Sequence, residues 1–329
     1  MAKWPVVEAQ TDRGREKGIA PCIVSASRAT DIPAFHGEWF MRRLGDGYTR
    51  WKNPFNNATT LVSFQNCKLI VFWTKNPAPF LRHIDALEKA GQAFYFQFTL
   101  NNYEREMLEP GLPGLEERLQ TFERLSDMLG RERVIWRYDP IILGKSLPVE
   151  AVVERMEAIG DRLKNHTEKL VFSFVDMYRK TAVRLRKLDS SLHAPGPDET
   201  LAIAEGVSKL AKGWGNRLVP ATCAEEADLS SFGIARNSCI DGEFILRLRG
   251  SDPEIRKICR CVGEEPLDAG ICRQGVAARD RGQRKACRCA PAKDIGAYNT
   301  CRHFCEYCYA NGSRAASLTC SAQHAMEKP

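Results

Sequence analysis

The chain has 329 residues, 43% of them hydrophobic, and a formal net charge of +7. That length and apolar content suit one large α/β domain or two smaller ones. No run of about eighteen apolar residues is present, which excludes a helical membrane span. The opening Met1-Ala2-Lys3-Trp4-Pro5 lacks the apolar core of a secretion signal, so a cytoplasmic location is expected.

The first apolar run, over 22–27, follows Pro21 and reads as a buried strand ending in the polar loop Arg28-Ala29-Thr30-Asp31. A helix is expected over about 34–44, closed by Gly45 and Gly47. A loop rich in Asn and aromatic residues covers 51–57, and a second strand is expected over 69–73. Phe80, Leu81, Ile84 and Leu87 then share one helical face, with Gly91 just beyond. The alternation continues with a strand over 94–99, a helix carrying Leu115, Leu119, Phe122, Leu125 and Leu129, and a strand over 134–138. A helix over 148–163 with Pro at its first turn, a strand over 170–175 and a very basic helix over 179–188 follow. Asp198 is expected to cap a helix ending near Lys212, and 218–223 reads as a sixth strand.

Strands alternating with helices imply a parallel sheet. With no Gly-rich dinucleotide fingerprint, the expected fold is α/β, a full or partial (β/α) barrel over 1–223. In that fold chemistry gathers at the C-terminal ends of the strands. Here those ends carry Ser25, Ser27 and Arg28; Thr74, Lys75 and Asn76; Gln97 and Thr99; Arg137 and Asp139; Ser173 and Asp176; Thr222 and Cys223. Any one of them is more often a local hydrogen-bonding group than a catalytic one, and it is their convergence that points to a polar ligand site. Arg137 and Asp139, two apart on a strand, share a face.

Beyond Cys223 the periodic signals thin out, apart from 244–248, and the cysteines crowd in. Of thirteen cysteines only Cys22 and Cys67 precede Cys223. Close cysteine pairs beside a large core suggest metal ligation in a reducing compartment rather than disulfides. The expectation is a cysteine-rich iron–sulfur extension over 224–329, packed on the barrel and ordered by its metal. Residues 273–288 carry Arg273, Arg279, Arg281, Arg284, Lys285 and Arg288 against Asp280 alone. Such a run is usually a solvated face; it also suits an anionic small-molecule substrate, a nucleotide or phosphosugar, and nucleic acid is not favoured.

The densest signal is Cys301-Arg302-His303-Phe304-Cys305-Glu306-Tyr307-Cys308. Three thiolates at these spacings can surround one compact centre, and thiolate selects iron–sulfur clusters, zinc or Cu(I). A four-iron cluster normally takes four cysteines, so three leave one iron open. Zinc would need a further ligand such as His303. The pattern C-x-x-x-C-x-Y-C resembles the cluster motif of radical S-adenosylmethionine (SAM) enzymes, in which SAM chelates the open iron.

Four stretches together resemble the domain-of-unknown-function family numbered 1848. They are Val24-Ser25-Ala26-Ser27-Arg28-Ala29-Thr30-Asp31-Ile32-Pro33-Ala34-Phe35, Phe72-Trp73-Thr74-Lys75-Asn76-Pro77, Trp136-Arg137-Tyr138-Asp139-Pro140-Ile141 and Asp294-Ile295-Gly296-Ala297-Tyr298-Asn299-Thr300-Cys301. The family is grouped with radical SAM proteins but carries its cysteine motif at the C-terminus. The resemblance implies a [4Fe–4S] cluster on Cys301, Cys305 and Cys308, with SAM as cofactor. It also implies a second, auxiliary cluster on Cys223, Cys239, Cys287 and Cys289, with Cys259, Cys261 or Cys272 as possible substitutes. Cys22, Cys67 and Cys320 are read as incidental.

On this reading Arg28, Lys75, Arg137 and Asp139 are the candidate catalytic residues. Ser25, Ser27, Gln97, Ser173, Tyr307 and Asn311 are candidates for cofactor binding. A flavodoxin or ferredoxin would supply electrons, and SAM would be cleaved to a 5′-deoxyadenosyl radical that abstracts hydrogen from substrate. Two alternatives remain open: sulfur insertion from the auxiliary cluster, and a non-catalytic iron–sulfur or zinc protein that senses redox state or binds nucleic acid.

Overall fold

A computed structural model of the chain describes residues 4–260, 287–312 and 314. The first elements are a hairpin, β1 (Val6–Thr11) and β2 (Gly14–Ile19), and the buried strand β3 (Ile23–Ala26). Asp31 caps α1 (Ile32–Phe35) by accepting the Ala34 N–H at 2.9 Å. α2 (Gly37–Asp46) ends at Gly47, whose φ of 79° few other residues adopt. The single helix expected over 34–44 is therefore two, broken at His36, which turns out of helical geometry at φ −133°. β4 (Tyr48–Lys52) and β5 (Thr59–Ser63) then flank the Asn-rich loop.

The alternation that follows matches the sequence pattern element by element. β6 (Leu69–Thr74) leads through a 3₁₀ turn over Ala78–His83 into α3 (Ile84–Lys89), β7 (Ala93–Thr99), α4 (Leu115–Leu129) and β8 (Val134–Ile141). α5 (Val149–Leu163), β9 (Lys169–Phe174), α6 (Arg179–Leu188), α7 (Pro197–Gly213) and β10 (Val219–Cys223) complete it. Asp198 does not cap α7. Pro197 occupies the first turn, so Gly196 is the cap and its N–H is taken by the Glu199 carboxylate at 2.8 Å. Beyond β10 come β11 (Ala235–Asn237), α8 (Gly242–Arg249), α9 (Pro253–Arg260) and β12 (Lys293–Asp294). The apolar run 244–248 is the core of α8, started by Asp241, whose carboxylate accepts the Glu243 and Phe244 N–H groups. No helix of the described residues is long and apolar enough to cross a membrane.

The fold is mixed α/β. An eight-stranded sheet, all parallel, runs in the order β11-β10-β9-β8-β7-β6-β3-β12, and a four-stranded sheet runs β1-β2-β5-β4. A closed barrel is not formed among the described residues. The outermost strands β11 and β12 are three and two residues long, and no pairing joins them. The segment after Cys223 nonetheless supplies both edges of the large sheet.

Strand residues alternate between two faces. Val24, Ile70, Phe72, Phe94, Phe96, Trp136 and Phe172 face the helices in the main core. Ile23, Leu69, Val71, Tyr95, Ile135 and Val171 face the other way, against Ile240, Phe244, Ile245, Ile255 and Ala290 of the C-terminal segment. Each large side chain so buried contributes about 1.5–3 kcal/mol. Toward the C-terminal strand ends this second face turns polar. Ile23 gives way to Ser25 and Ser27, Tyr95 to Gln97, Ile135 to Arg137 and Asp139, Val171 to Ser173, and Ala221 to Cys223. The apolar half anchors the C-terminal segment.

Candidate functional site

Four thiols meet above the polar half of the sheet. Cys223 ends β10, and its Sγ lies 2.8 Å from that of Cys239, which is buried just beyond β11. Cys289 hydrogen-bonds with Cys239 on one side and Cys287 on the other, and its Sγ accepts the Ile240 N–H at 3.4 Å. All four are free thiols. A hydrogen bond with Cys289 draws Cys287 down to about 7, against an ordinary thiol value of 9.0. Cys239 ends near 11: the bond with Cys223 lowers it, but the bond with Cys289 and burial outweigh that.

Cations border this string. The Arg137 Nη1 donates to the Cys239 Sγ at 2.9 Å and to the Gln97 Oε1 at 3.3 Å. Arg137 also forks onto one oxygen of Asp139, whose other oxygen accepts the Ser173 hydroxyl. Burial alone would raise Asp139, but Arg137 and the Ser173 bond hold it below the usual carboxylate range. Gln97 gives its amide N–H to the Cys239 carbonyl at 2.8 Å. Two guanidinium groups lie over the Trp73 ring, Arg28 at 5.4 Å and Arg137 at 5.2 Å from its centre. Arg28 is solvent-accessible; desolvation works against its charge, but Cys289, Asp294 and Cys239 are close enough to raise it.

The second thiol set is the loop bearing Cys301, Cys305 and Cys308. It is irregular, with Asn299 at φ 60° and Phe304 at φ 54°. For a residue as bulky as Phe that conformation costs about 1–2 kcal/mol and persists only where neighbours hold the loop. They do so from several sides. Arg184 of α6 donates to the Glu306, Cys308 and Asn311 carbonyls, and Lys180 to that of Tyr309. Gly111 donates its N–H to the His303 carbonyl at 3.0 Å, and Glu306 its N–H to that of Leu108 at 2.9 Å. His303 Nε2 lies 2.8 Å from Asp31, which also accepts the Thr74 hydroxyl and the Lys75 N–H. Its Nδ1 lies 3.4 Å from the Gly111 carbonyl, so neither ring nitrogen is left to complete a zinc site with the thiols. Burial pushes Cys301 up to about 12 and raises Cys305 strongly. Asn311 donates to the Cys301 carbonyl at 2.9 Å, and its own buried amide oxygen has no hydrogen-bond partner among the described residues.

The two thiol sets are joined by a polar chain. Lys75 donates to Tyr307 Oη at 2.8 Å and to Glu109 at 2.7 Å, and Tyr307 donates to Glu109 as well. Asn101 bridges Tyr307 Oη at 3.3 Å to the Asp139 carbonyl at 3.1 Å, and its own carbonyl accepts the Asp139 N–H at 2.9 Å. From Asp139 the chain passes through Arg137 to Cys239. Burial works against charge on both Lys75 and Glu109, yet their pairing holds the lysine above and the carboxylate below its ordinary value.

Ser25 and Ser27 are occupied by Asp294, which accepts their hydroxyls at 2.9 and 2.7 Å and the Arg28 N–H at 2.8 Å. They lock β12 to β3. The sequence reading missed Asn101, Glu109, Trp73 and Asp294. Asn101 had a usable signal, a polar residue just past the C-terminal end of a strand; Glu109 sits in an aperiodic loop and had none. Cys259 packs in the lower apolar face, apart from the four-thiol string. Cys261, Cys272, Cys320 and the basic stretch 273–286 lie outside the described residues.

A family model described as a domain of unknown function (DUF1848) matches residues 23–310, and the chain belongs to that family. No curated protein matches the chain, and no solved structure does.

Proposed function

We propose that this DUF1848 chain is a radical SAM enzyme acting on a small anionic substrate, nucleotide- or phosphosugar-like, at the C-terminal ends of a partial (β/α) barrel. Cys301, Cys305 and Cys308 would hold the SAM-binding [4Fe–4S] cluster, and Cys223, Cys239, Cys287 and Cys289 an auxiliary one. The observation that carries this reading is the continuous chain from Tyr307 through Asn101, Asp139 and Arg137 to Cys239, which makes two remote thiol sets one site.

The donor sets fit. Among the described residues no three His, Cys, Asp or Glu side chains close around a single metal-ion position, as a mononuclear zinc site requires. A cluster spreads its irons, so each thiolate binds a different one; Cys223 and Cys239, 2.8 Å apart in the free-thiol string, would separate to reach two irons. Arg137 and Arg28 offset the charge that the four thiols acquire on ligation, and Lys75 does so at Cys305. The unpartnered buried oxygen of Asn311 beside Cys301 suits the amino group of SAM.

When bound, the cluster and SAM would supply one-electron radical chemistry to the substrate. This chain's own residues do the positioning. Arg28, accessible and stacked on Trp73, receives the anionic group of the substrate. Asp139 and Ser173 orient Arg137, and Gln97 fixes the Cys239 backbone. Ser25 and Ser27 act through Asp294 by holding the approach to the three-thiol loop. Tyr307 and Trp73 shield the space between the two sets from water. EPR of the anaerobically reconstituted, reduced protein tests this. SAM should change the signal of one cluster only, and Cys308→Ala should abolish that response; an unchanged spectrum in the intact protein removes the proposal.

A further inference from the structure

The basic helix α6 has a use that the site does not absorb. Its inward face, Thr181, Ala182 and Leu185, is buried, and Arg184 is committed to the carbonyls of the three-thiol loop. Its outward face carries Arg179, Val183, Arg186 and Lys187, all exposed, Leu188 is exposed at its C-terminal end, and the helix contains no acidic residue. Val183 is 48% and Leu188 42% exposed, and Tyr309 on the adjoining loop is 42% exposed. Apolar side chains set among cations that have no ion-pair partner among the described residues are expected of a surface that meets a partner, more than of one that merely keeps the chain soluble.

We infer that this face of α6, with Tyr309, is the docking surface for a small acidic one-electron carrier protein. The inference rests on the reading that Cys301, Cys305 and Cys308 hold a redox cluster. Each SAM cleavage consumes one electron: the carrier is oxidised by one electron and the cluster is reduced by one, with no bond made or broken at the interface. The surface is in the right place, since Arg184 on the opposite side of the same helix donates directly to the Cys308 carbonyl. Electron-transfer encounters are small and electrostatically steered, which a positive face with a few apolar contacts provides. The interspersed Val183, Leu188 and Tyr309 favour an acidic protein over a nucleic acid backbone, which would be met by cations alone.

The test uses the reconstituted full chain, an acidic ferredoxin as carrier, and the triple charge reversal Arg179→Glu, Arg186→Glu, Lys187→Glu. None of these three side chains holds the loop or a thiol, and an unchanged melting temperature and iron content serve as the folding check. Calorimetric affinity for the ferredoxin should fall at least tenfold in the variant, and wild-type affinity should weaken steeply with salt. Cluster reduction by reduced ferredoxin, followed optically without SAM, should slow to match, while reduction by dithionite stays the same. Equal affinity and equal ferredoxin-driven reduction in both proteins overturns the docking surface but leaves the SAM chemistry standing. No SAM cleavage with dithionite, together with charge-dependent ferredoxin reduction, overturns the proposed function and leaves the surface. Charge-dependent binding of a nonspecific DNA duplex in place of ferredoxin overturns the surface in favour of nucleic acid.

Discussion

Arg137 donates a hydrogen bond to the sulfur of Cys239 at 2.9 Å across 102 residues of sequence, and the same guanidinium grips Asp139. One side chain thus ties the four-thiol string to the strand end that Asn101 connects to Tyr307. Arg137→Ala should leave iron content intact while weakening SAM cleavage or uncoupling it from substrate. One charged hydrogen bond is worth about 1.5–3 kcal/mol, roughly ten- to a hundredfold. Arg137→Lys keeps the charge but loses the fork, so it should recover little of the loss. Full coupled turnover in both variants would remove Arg137 from the site.

Iron and labile sulfide should each come to about eight per chain after anaerobic reconstitution, as two four-iron clusters require. Replacing Cys301, Cys305 and Cys308 together by Ala should remove about half. Zinc without labile sulfide in the native protein would contradict both assignments.

Gly111 approaches the three-thiol loop so closely that a Cβ there would lie 2.7 Å from the His303 carbonyl oxygen, a backbone atom that cannot swing aside. Gly111→Ala should therefore displace the three-thiol loop and nothing else. The variant should resemble the triple cysteine variant in losing about half its iron and its spectroscopic response to SAM. Retention of both would show that the loop has another anchor.

Glu109 is 3% exposed and faces Lys75 and Arg118, so removing its charge takes the ion-pair partner from Lys75 and leaves Arg118 with Glu104 alone. Glu109→Gln should cost about 3–5 kcal/mol at neutral pH by urea unfolding. The carboxylate's native value lies below its ordinary 4.5. Its stabilisation is therefore complete above 4.5 and drains away as pH falls through the lowered native value. The gap between wild type and Glu109→Gln should narrow in that acid window; a gap independent of pH would mean that the charge is not what stabilises.

The parallel half of the fold was legible in the sequence because its strands are continuous apolar runs and its helices keep a clean apolar face, as in Leu115 to Leu129. The small sheet was not. Glu8, Arg15 and Lys17 interrupt its exposed strands, so β1 and β2 show no run to find. β11 and β12 were invisible because two or three residues carry no periodicity; they are set by the sheet edge they join. The cysteine grouping was suggested by spacing and family resemblance, and the structure brings Cys223, Cys239, Cys287 and Cys289 into one string. What links them to the Tyr307 loop, Asn101 and Glu109, came from side-chain packing between loops that no linear pattern records.

The most direct measurement of the central claim is the yield of 5′-deoxyadenosine when the reconstituted, dithionite-reduced protein is incubated anaerobically with SAM. The account predicts 5′-deoxyadenosine and methionine in equal amounts, and none from the Cys301, Cys305, Cys308 triple Ala variant. A protein that carries both clusters and forms no 5′-deoxyadenosine would contradict it.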